Sequence, residues 1–236
     1  MRLNNYISMT GICSRRVADD YIKANRVKVN NTLAVLGMQI NETDEVRLDD
    51  ELIKPKTKTV TLAYHKPIGI TCTTDLSISN NIIEAIRYPE RIFPIGRLDK
   101  DSEGLILLTN DGSLVNRILR AENHHTKEYL VSVNKPITPI FIQQMSKGVS
   151  IFNPVRKCMT VTLPAIVQLV NTYTFSIQLT QGLNRQIRRM VSACDYKVTD
   201  LKRIRVMNIN LANLERGQWR ILSDDEMKIL SEMLDQ

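Results

Sequence analysis

Residues 93–112 read FPIGRLDKDSEGLILLTNDG. A β-prone start, a polar turn and a continuous apolar run predict a strand, a loop and a buried strand. Asp99, Asp101 and Glu103 crowd into that loop beside Arg97 and Lys100, with Gly96 and Gly104 at its edges. Positive charge nearby keeps a carboxylate ionised, and an ionised carboxylate on a loop can serve as a nucleophile. The residues alone leave the choice among the three acids open. An exposed acidic turn or the carboxylate pair of a glycosidase satisfies the same pattern, although nothing else marks a sugar-binding cleft.

Downstream, NRQIRRMVSAC at 184–194 places Ile187, Met190, Val191 and Cys194 at i, i+3, i+4 and i+7. That spacing predicts a helix with one buried face, leaving Arg185, Arg188, Arg189 and Ser192 on the opposite one. Gly182 supplies a turn and Asn184 a cap, so the positive helix N-terminus adds to three guanidinium groups. An anion answers such a cluster, though a solvated basic face satisfies it too. Lys197, Lys202, Arg203 and Arg205 extend the stripe against only Asp195 and Asp200, which reads as a phosphate track.

Around these two segments, TVTLAYH (59–65), KEYLVSV (127–133) and YTFSIQL (173–179) read as strands, and the stretches near 80–87, 111–120 and 138–147 as helices. Ser223 and Glu226 form a capping box that opens a last helix. Strands and helices alternate irregularly, without repeated βαβ units. The expected class is α+β, with a mixed, mainly antiparallel sheet flanked by helices over 59–236. Residues 54–58, within the run KPKTKT, read as a linker.

Residues 1–53 differ in character. The first 50 carry seven Lys/Arg and seven Asp/Glu, the basic residues coming mostly first. From Ser14 to Ala24, Val17, Ala18, Tyr21 and Ile22 share a helical face, with Ser14 as N-cap and Asn25 as the stop. Asn30-Asn31 between RVKV and TLAV predicts a hairpin turn. Arg15 with Asp19, and Arg16 with Asp20, are spaced as i,i+4 ion pairs.

Composition bounds the partners. At 236 residues, 43% apolar and 24% charged, the chain is one large domain or two small ones. No apolar run approaches the roughly 18 residues of a membrane span, and MRLNNYISMTG lacks the apolar core of a secretory signal, so a cytoplasmic protein without membrane contact is expected. Cys13, Cys72, Cys158 and Cys194 lie far apart, with neither a CxxC pair nor a zinc spacing. The net charge of +7 points to a polyanion, and aromatics at only 5% favour folded or duplexed nucleic acid over a bare strand.

The segment RLNNYISMTGICSRRVADDYIKANRVKVNN, with the acidic TDEVRLDD after it, resembles the small RNA-binding domain named after ribosomal protein S4. The resemblance implies two short helices and a β-hairpin, with Arg2, Asn4, Ser14, Arg15, Arg16 and Lys28 touching RNA phosphates. Such contacts position RNA and carry little sequence information.

GRLDKDSEGL resembles the catalytic motif of the RNA pseudouridine synthases. HKPIG (65–69), KEYLV (127–131) and GLNRQIRRM (182–190) stand with it in that family's order. The basic domain in front, with RIRVMNINL and GQWRILSDDE, is similar to the RsuA, RluB, RluE and RluF branch, and the spelling of NHHTKEYLV, GLNRQIRRM and RIRVMNINL is similar to its RluF members. The resemblance implies that Asp99 is the nucleophile, that Tyr129 lies against a flipped uracil and is the candidate base, and that Arg188 pairs with Asp99. Leu201 matches the apolar residue beneath the base, and Arg97 an arginine near the target nucleotide. Arg185, Gln186 and Arg189 are placed at the substrate, and Lys66 and Pro67 in a structural motif.

The implied reaction isomerises a uridine of large-subunit (23S) ribosomal RNA, and whether Asp99 attacks sugar or base stays open. No metal, cofactor or energy source is needed, in keeping with a sequence that has no GxGxxG and no P-loop. Transfer RNA or small-subunit RNA as substrate, and a non-catalytic ribosome-assembly protein, are the alternatives. A tRNA-charging enzyme would need an ATP-binding signature. A monomer is expected, since no heptad run or long apolar helix face stands exposed.

Overall fold

The computed structural model describes residues 1–55, 58–119 and 125–235. Two linker positions, 56 and 57, and the start of NHHTKEYLV at 123–124 lie outside them. The chain divides into two compact units, one made of Met1–Val60 with 89–91 and 110–112, the other of the remaining residues.

In the first unit, α1 (Leu3–Met9) and α2 (Arg15–Lys23) precede β1 (Val27–Val29), β2 (Thr32–Leu33), β3 (Val46–Leu48) and β4 (Glu51–Leu52). The strands pair antiparallel in the order β2-β1-β3-β4. Ser14 caps α2, its hydroxyl accepting the Val17 N–H at 3.2 Å, and Asn25 ends it at φ 58°. Asn30 and Asn31 have φ of 48° and 65°. Both central residues of a two-residue hairpin turn are left-handed when its twist matches the strands, and asparagine tolerates that region best after glycine. Leu3, Ile7, Ala18, Ile22, Val27 and Val46 form the core. Val17 does not join them and is exposed. The i,i+4 pairs also do not form: Asp19 accepts from Asn4 Nδ2 at 2.9 Å, and Asp20 pairs with Lys23 at 3.7 Å.

In the second unit the elements run β5 (Thr61–Lys66), α3 (Ile82–Ile86), β6 (Phe93–Ile95), β7 (Glu103–Thr109), α4 (Gly112–Leu119), β8 (Lys127–Val133), α5 (Pro139–Lys147), β9 (Ser150–Asn153), β10 (Cys158–Val161), β11 (Ile166–Asn171), β12 (Thr174–Leu179), α6 (Gln186–Ala193), β13 (Val198–Val206), β14 (Ile209–Asn210), β15 (Trp219–Ile221) and α7 (Asp224–Leu234). Nine strands make one sheet in the order β11-β12-β8-β13-β7-β5-β15, with β14 on β13 and β6 on β7, while β9 and β10 form a separate hairpin. The sheet is mixed, because β13 and β7 run parallel and their neighbours antiparallel. The class is α+β, as the sequence predicts.

Both faces of the sheet are covered, which is why β5 and β7 are buried at every position. Phe141 and Met145 of α5 and Ile187, Met190 and Val191 of α6 pack with Val131, Phe175 and Leu201. Leu114 and Ile118 of α4 and Leu230 of α7 pack with Ala63, Leu105 and Leu107. The Ser223 capping box of α7 is formed in both directions. No helix among the described residues is long and apolar enough to cross a membrane.

Candidate active site

Residues 96–102 join β6 to β7, and this loop is fixed at three points. The Leu98 N–H points at Cys72 Sγ at 3.4 Å, the Gly69 N–H donates to the Lys100 carbonyl at 2.8 Å, and the Ser102 N–H donates to the Asp99 carbonyl at 3.1 Å. Beneath it Lys66, fully buried, donates through Nζ to the carbonyls of Pro67 at 2.9 Å and Ile70 at 3.0 Å. Burial pushes its pKa down, while the charges of Cys72, Asp99 and Asp101 act the other way. These bonds close the HKPIG turn, which the Gly69 N–H then joins to the loop.

Gly104 fixes where the strand after the loop lies. At φ +114° it sits opposite Arg203, and a Cβ there would stand 2.3 Å from the Arg203 carbonyl oxygen. Only glycine permits that backbone approach.

The three acids left open by the sequence diverge in space. Asp99 is 35% exposed in its side chain and lines a cavity of about 580 Å³. Asp101 faces α6, where both its oxygens accept from Arg185 Nη1 and Nη2 at 2.8 Å. Those hydrogen bonds, with the charge of Arg188, hold its carboxyl below the usual carboxylate range. Glu103 pairs with Arg216 at 2.8 Å and Lys202 at 3.8 Å, away from the cavity.

Helix α6 starts later than the sequence predicts. Asn184 is not its cap: Arg185 takes that position at φ 49° with no side-chain capping bond. The turn is closed instead by Gln186, whose Oε1 accepts the Leu183 N–H at 3.0 Å and whose Nε2 faces Met190 Sδ. A left-handed arginine costs about 1 kcal/mol, which the paired contacts to Asp101 offset. Arg185 Nη1 also lies 3.6 Å from Asp99 Oδ2.

The expected Arg188–Asp99 pair does not form. Arg188 Nη2 donates to the Asp101 carbonyl at 2.8 Å and to Ser102 Oγ at 3.3 Å, and the ion pair nearest Asp99 belongs to Arg185. Arg189 turns back to Asn184, donating to its carbonyl at 3.0 Å and to Oδ1 at 3.2 Å, and does not line the cavity. Arg97, Tyr129, Arg185, Gln186, Arg188 and Leu201 all line it with Asp99. Tyr129 is half-buried and Leu201 buried, on the adjacent strands β8 and β13, so ring and apolar side chain share one wall.

The basic stripe is not continuous. Lys202 faces Glu103, and Arg205 donates to Glu128 Oε2 at 2.8 Å and to the Met207 carbonyl at 2.9 Å. Strand alternation separates Lys202 from Arg203, and a register shift between Arg203 and Arg205 turns Arg205 to Glu128, so that of the three Arg203 alone lines the cavity. The sequence assigns no site role to Ser102 or Lys127, and to Asp101 none as a tie to α6. Asp101 was visible as one of three acids, and Lys127 as the first residue of KEYLV.

In the first unit, Arg15 and Arg16 are exposed and make no side-chain pair among the described residues. Arg2, Asn4 and Lys23 border a shallow recess with Asp19. Lys28 is held by Asp50 at 2.6 Å, and Ser14 is spent on its cap. No group of His, Cys, Asp and Glu among the described residues has the arrangement of a metal site.

The family described as RNA pseudouridylate synthase matches residues 60–193, and the S4 domain matches residues 1–46. The chain is 48% identical over 237 residues to the dual-specificity RNA pseudouridine synthase RluF of Escherichia coli (strain K12), across 100% of this chain and 80% of that protein. It is 29% identical to the ribosomal large subunit pseudouridine synthase B of Bacillus subtilis (strain 168), across 99% and 97% of the two. A solved structure titled as a pseudouridylate synthase superimposes with a TM-score of 0.70 at 29% identity, covering 98% of this chain and 99% of that one. The chain therefore belongs to the RNA pseudouridine synthase family, as an isomerase of RNA uridine that carries an S4 domain in front of its catalytic part.

Proposed function

We propose that this enzyme isomerises one uridine of large-subunit ribosomal RNA, with transfer RNA as the alternative substrate. One observation carries the chemistry: Asp99, Tyr129 and Leu201 line a single cavity, with Arg185 within 3.6 Å of the Asp99 carboxylate. A relative supports the choice of RNA, being named for the large ribosomal subunit.

A uridine stacked in folded RNA cannot reach a carboxylate on a loop, so the nucleotide flips out, at a cost of a few kcal/mol. Exposed Arg15, Arg16 and Arg2 of the first unit and Arg97 at the cavity neutralise phosphates and offset it. Asp99 is the nucleophile. Arg185 and Arg188, tied through Asp101, hold the loop that carries Asp99. Tyr129 packs on the uracil, Leu201 lies beneath it, and the Tyr129 hydroxyl is the candidate base for the carbon 5 proton. Gln186 acts by closing the turn before α6. We place the S4-like part at 1–53, the linker at 54–58 and the catalytic part at 59–236, and read the protein as a cytoplasmic monomer that needs no cofactor.

The test is pseudouridine mapping of ribosomal and transfer RNA from cells lacking the protein and from cells rescued with wild type or Asp99→Ala. One large-subunit uridine restored only by wild type supports the reading. Restoration by Asp99→Ala, or loss of no site in either RNA, overturns it.

A further inference from the structure

Strands β8 and β13 send the cations with carboxylate partners and those without to opposite faces. On one face Glu103 meets Arg216 and Lys202, and Glu128 meets Arg205. A bulge between Arg203 and Arg205 produces this: it pairs Arg203 with Tyr129 but Arg205 with Glu128, turning Arg205 away from the cavity. On the cavity face stand Lys127 and Arg203, beside Tyr129 and Leu201.

Neither cation has a carboxylate partner among the described residues. Arg203 is 4% exposed and its Nε donates to the Leu105 carbonyl at 2.7 Å, while Lys127 Nζ donates to the His125 carbonyl at 3.0 Å. Burial and the charge of Arg203 both push the Lys127 ammonium down, the mark of two cations close together in a desolvated place. Among the described residues, Asp99 is the only carboxylate that lines this cavity. A buried and a half-buried cation, both without a counter-ion, are costly unless an anion appears during function.

We infer that Lys127 and Arg203 are catalytic residues that stabilise the negative charge carried by the uracil ring during isomerisation, a step that rests on the function proposed above. When the bond from C1′ to N1 breaks, its electron pair leaves with the ring and spreads over O2 and O4, while a carboxylate oxygen of Asp99 bonds to C1′. On return, the carbon 5 pair displaces that carboxylate, the carbon 5 proton passes to the base and N1 takes up a proton, so no atom is gained or lost. If Asp99 adds to the ring instead, the displaced pair rests on O4 as an enolate, and the ring is negative on that route as well. Fixed cations facing a charge that develops only in the reaction accelerate it without tightening the resting complex.

The experiment compares wild type, Lys127→Met and Arg203→Lys on large-subunit ribosomal RNA transcribed with uridine or 5-fluorouridine, under single turnover. Fluorine withdraws electrons and makes the ring anion easier to form. Lys127→Met is expected to lower the uridine rate by about 100-fold with RNA affinity unchanged. Its deficit is expected to shrink on 5-fluorouridine, measured as consumption of that nucleoside, and Arg203→Lys is expected to retain more activity than Lys127→Met. An equal deficit on both bases, or a loss of affinity at an unchanged bound rate, overturns the inference by making Lys127 a packing residue or a phosphate contact. Absence of pseudouridine with wild type overturns the proposed substrate and this inference together, whereas an active wild type with an unaffected Lys127→Met overturns the inference alone.

Discussion

Arg188 engages Asp101 and not Asp99: its Nη2 donates to the Asp101 main-chain carbonyl at 2.8 Å, and the side chain is only 17% exposed. The Asp101 carboxylate meanwhile takes both arms of Arg185. Asp101 is thus a tie between the 96–102 loop and α6, and Asp99 stays the acid facing the cavity.

Asp101→Asn keeps the shape and removes the charge that makes the bidentate pairing strong. The expected result is a fall in turnover of about 10- to 100-fold, taking roughly 1.5–3 kcal/mol for a charge-assisted contact, with RNA affinity reduced far less. A single-turnover rate equal to wild type would show that the tie does not position Asp99.

The same pairing gives acid sensitivity a direction. Arg185 lowers the Asp101 pKa in the folded protein. A depressed carboxylate stabilises the fold above its unfolded value, near 3.9, and that contribution is lost as pH falls through the lower folded value. Wild type is expected to lose this stabilisation on acidification, and Asp101→Asn to show a flatter stability curve below about pH 4. Thermal unfolding across that range, read for both proteins, checks it.

Arg188→Lys is expected to cost about 10-fold or more in rate, because one ammonium does not reproduce the planar fork that reaches the Asp101 carbonyl and Ser102 Oγ together. Near-normal turnover would mean that either contact alone suffices.

Much of this arrangement was legible in the sequence, and the part that was not has a physical reason. Helical spacing found α6, and the paired asparagines at 30 and 31 announced their turn, because both signals are local. The family's residues brought Asp99, Tyr129 and Leu201 to one cavity. What could not be read was partner choice. Arg185, Arg188 and Arg189 look alike on a helical wheel, yet a left-handed Arg185 and the later helix start send them to Asp101, the loop and Asn184 respectively. Likewise Lys202, Arg203 and Arg205 form a stripe in sequence, and only strand register with its bulge separates them.

Gly104→Ala tests that register. A methyl group would meet the Arg203 backbone, which cannot yield as a flexible side chain would, at a φ that L-residues avoid. The expected loss is roughly 3–5 kcal/mol of stability, in the range of overpacking combined with backbone strain. Denaturant unfolding measures it, and a loss below about 1 kcal/mol would mean that β7 and β13 separate cheaply.

Arg15 and Arg16 test the RNA-binding role of the first unit without disturbing its fold. Both are exposed at the start of α2, and neither is held by a carboxylate among the described residues. Lys28 differs, since its ammonium is 2.6 Å from Asp50 and must give up that partner to meet a phosphate. Replacing Arg15 or Arg16 with alanine should therefore lower RNA affinity and flatten the slope of log affinity against log salt by about 0.7–0.9 for each phosphate no longer neutralised. The thermal midpoint should barely move, because an exposed unpaired arginine contributes little to folding. Lys28→Ala should change the slope less than either. Equal slopes for all three variants and wild type would remove this face from the RNA-binding surface.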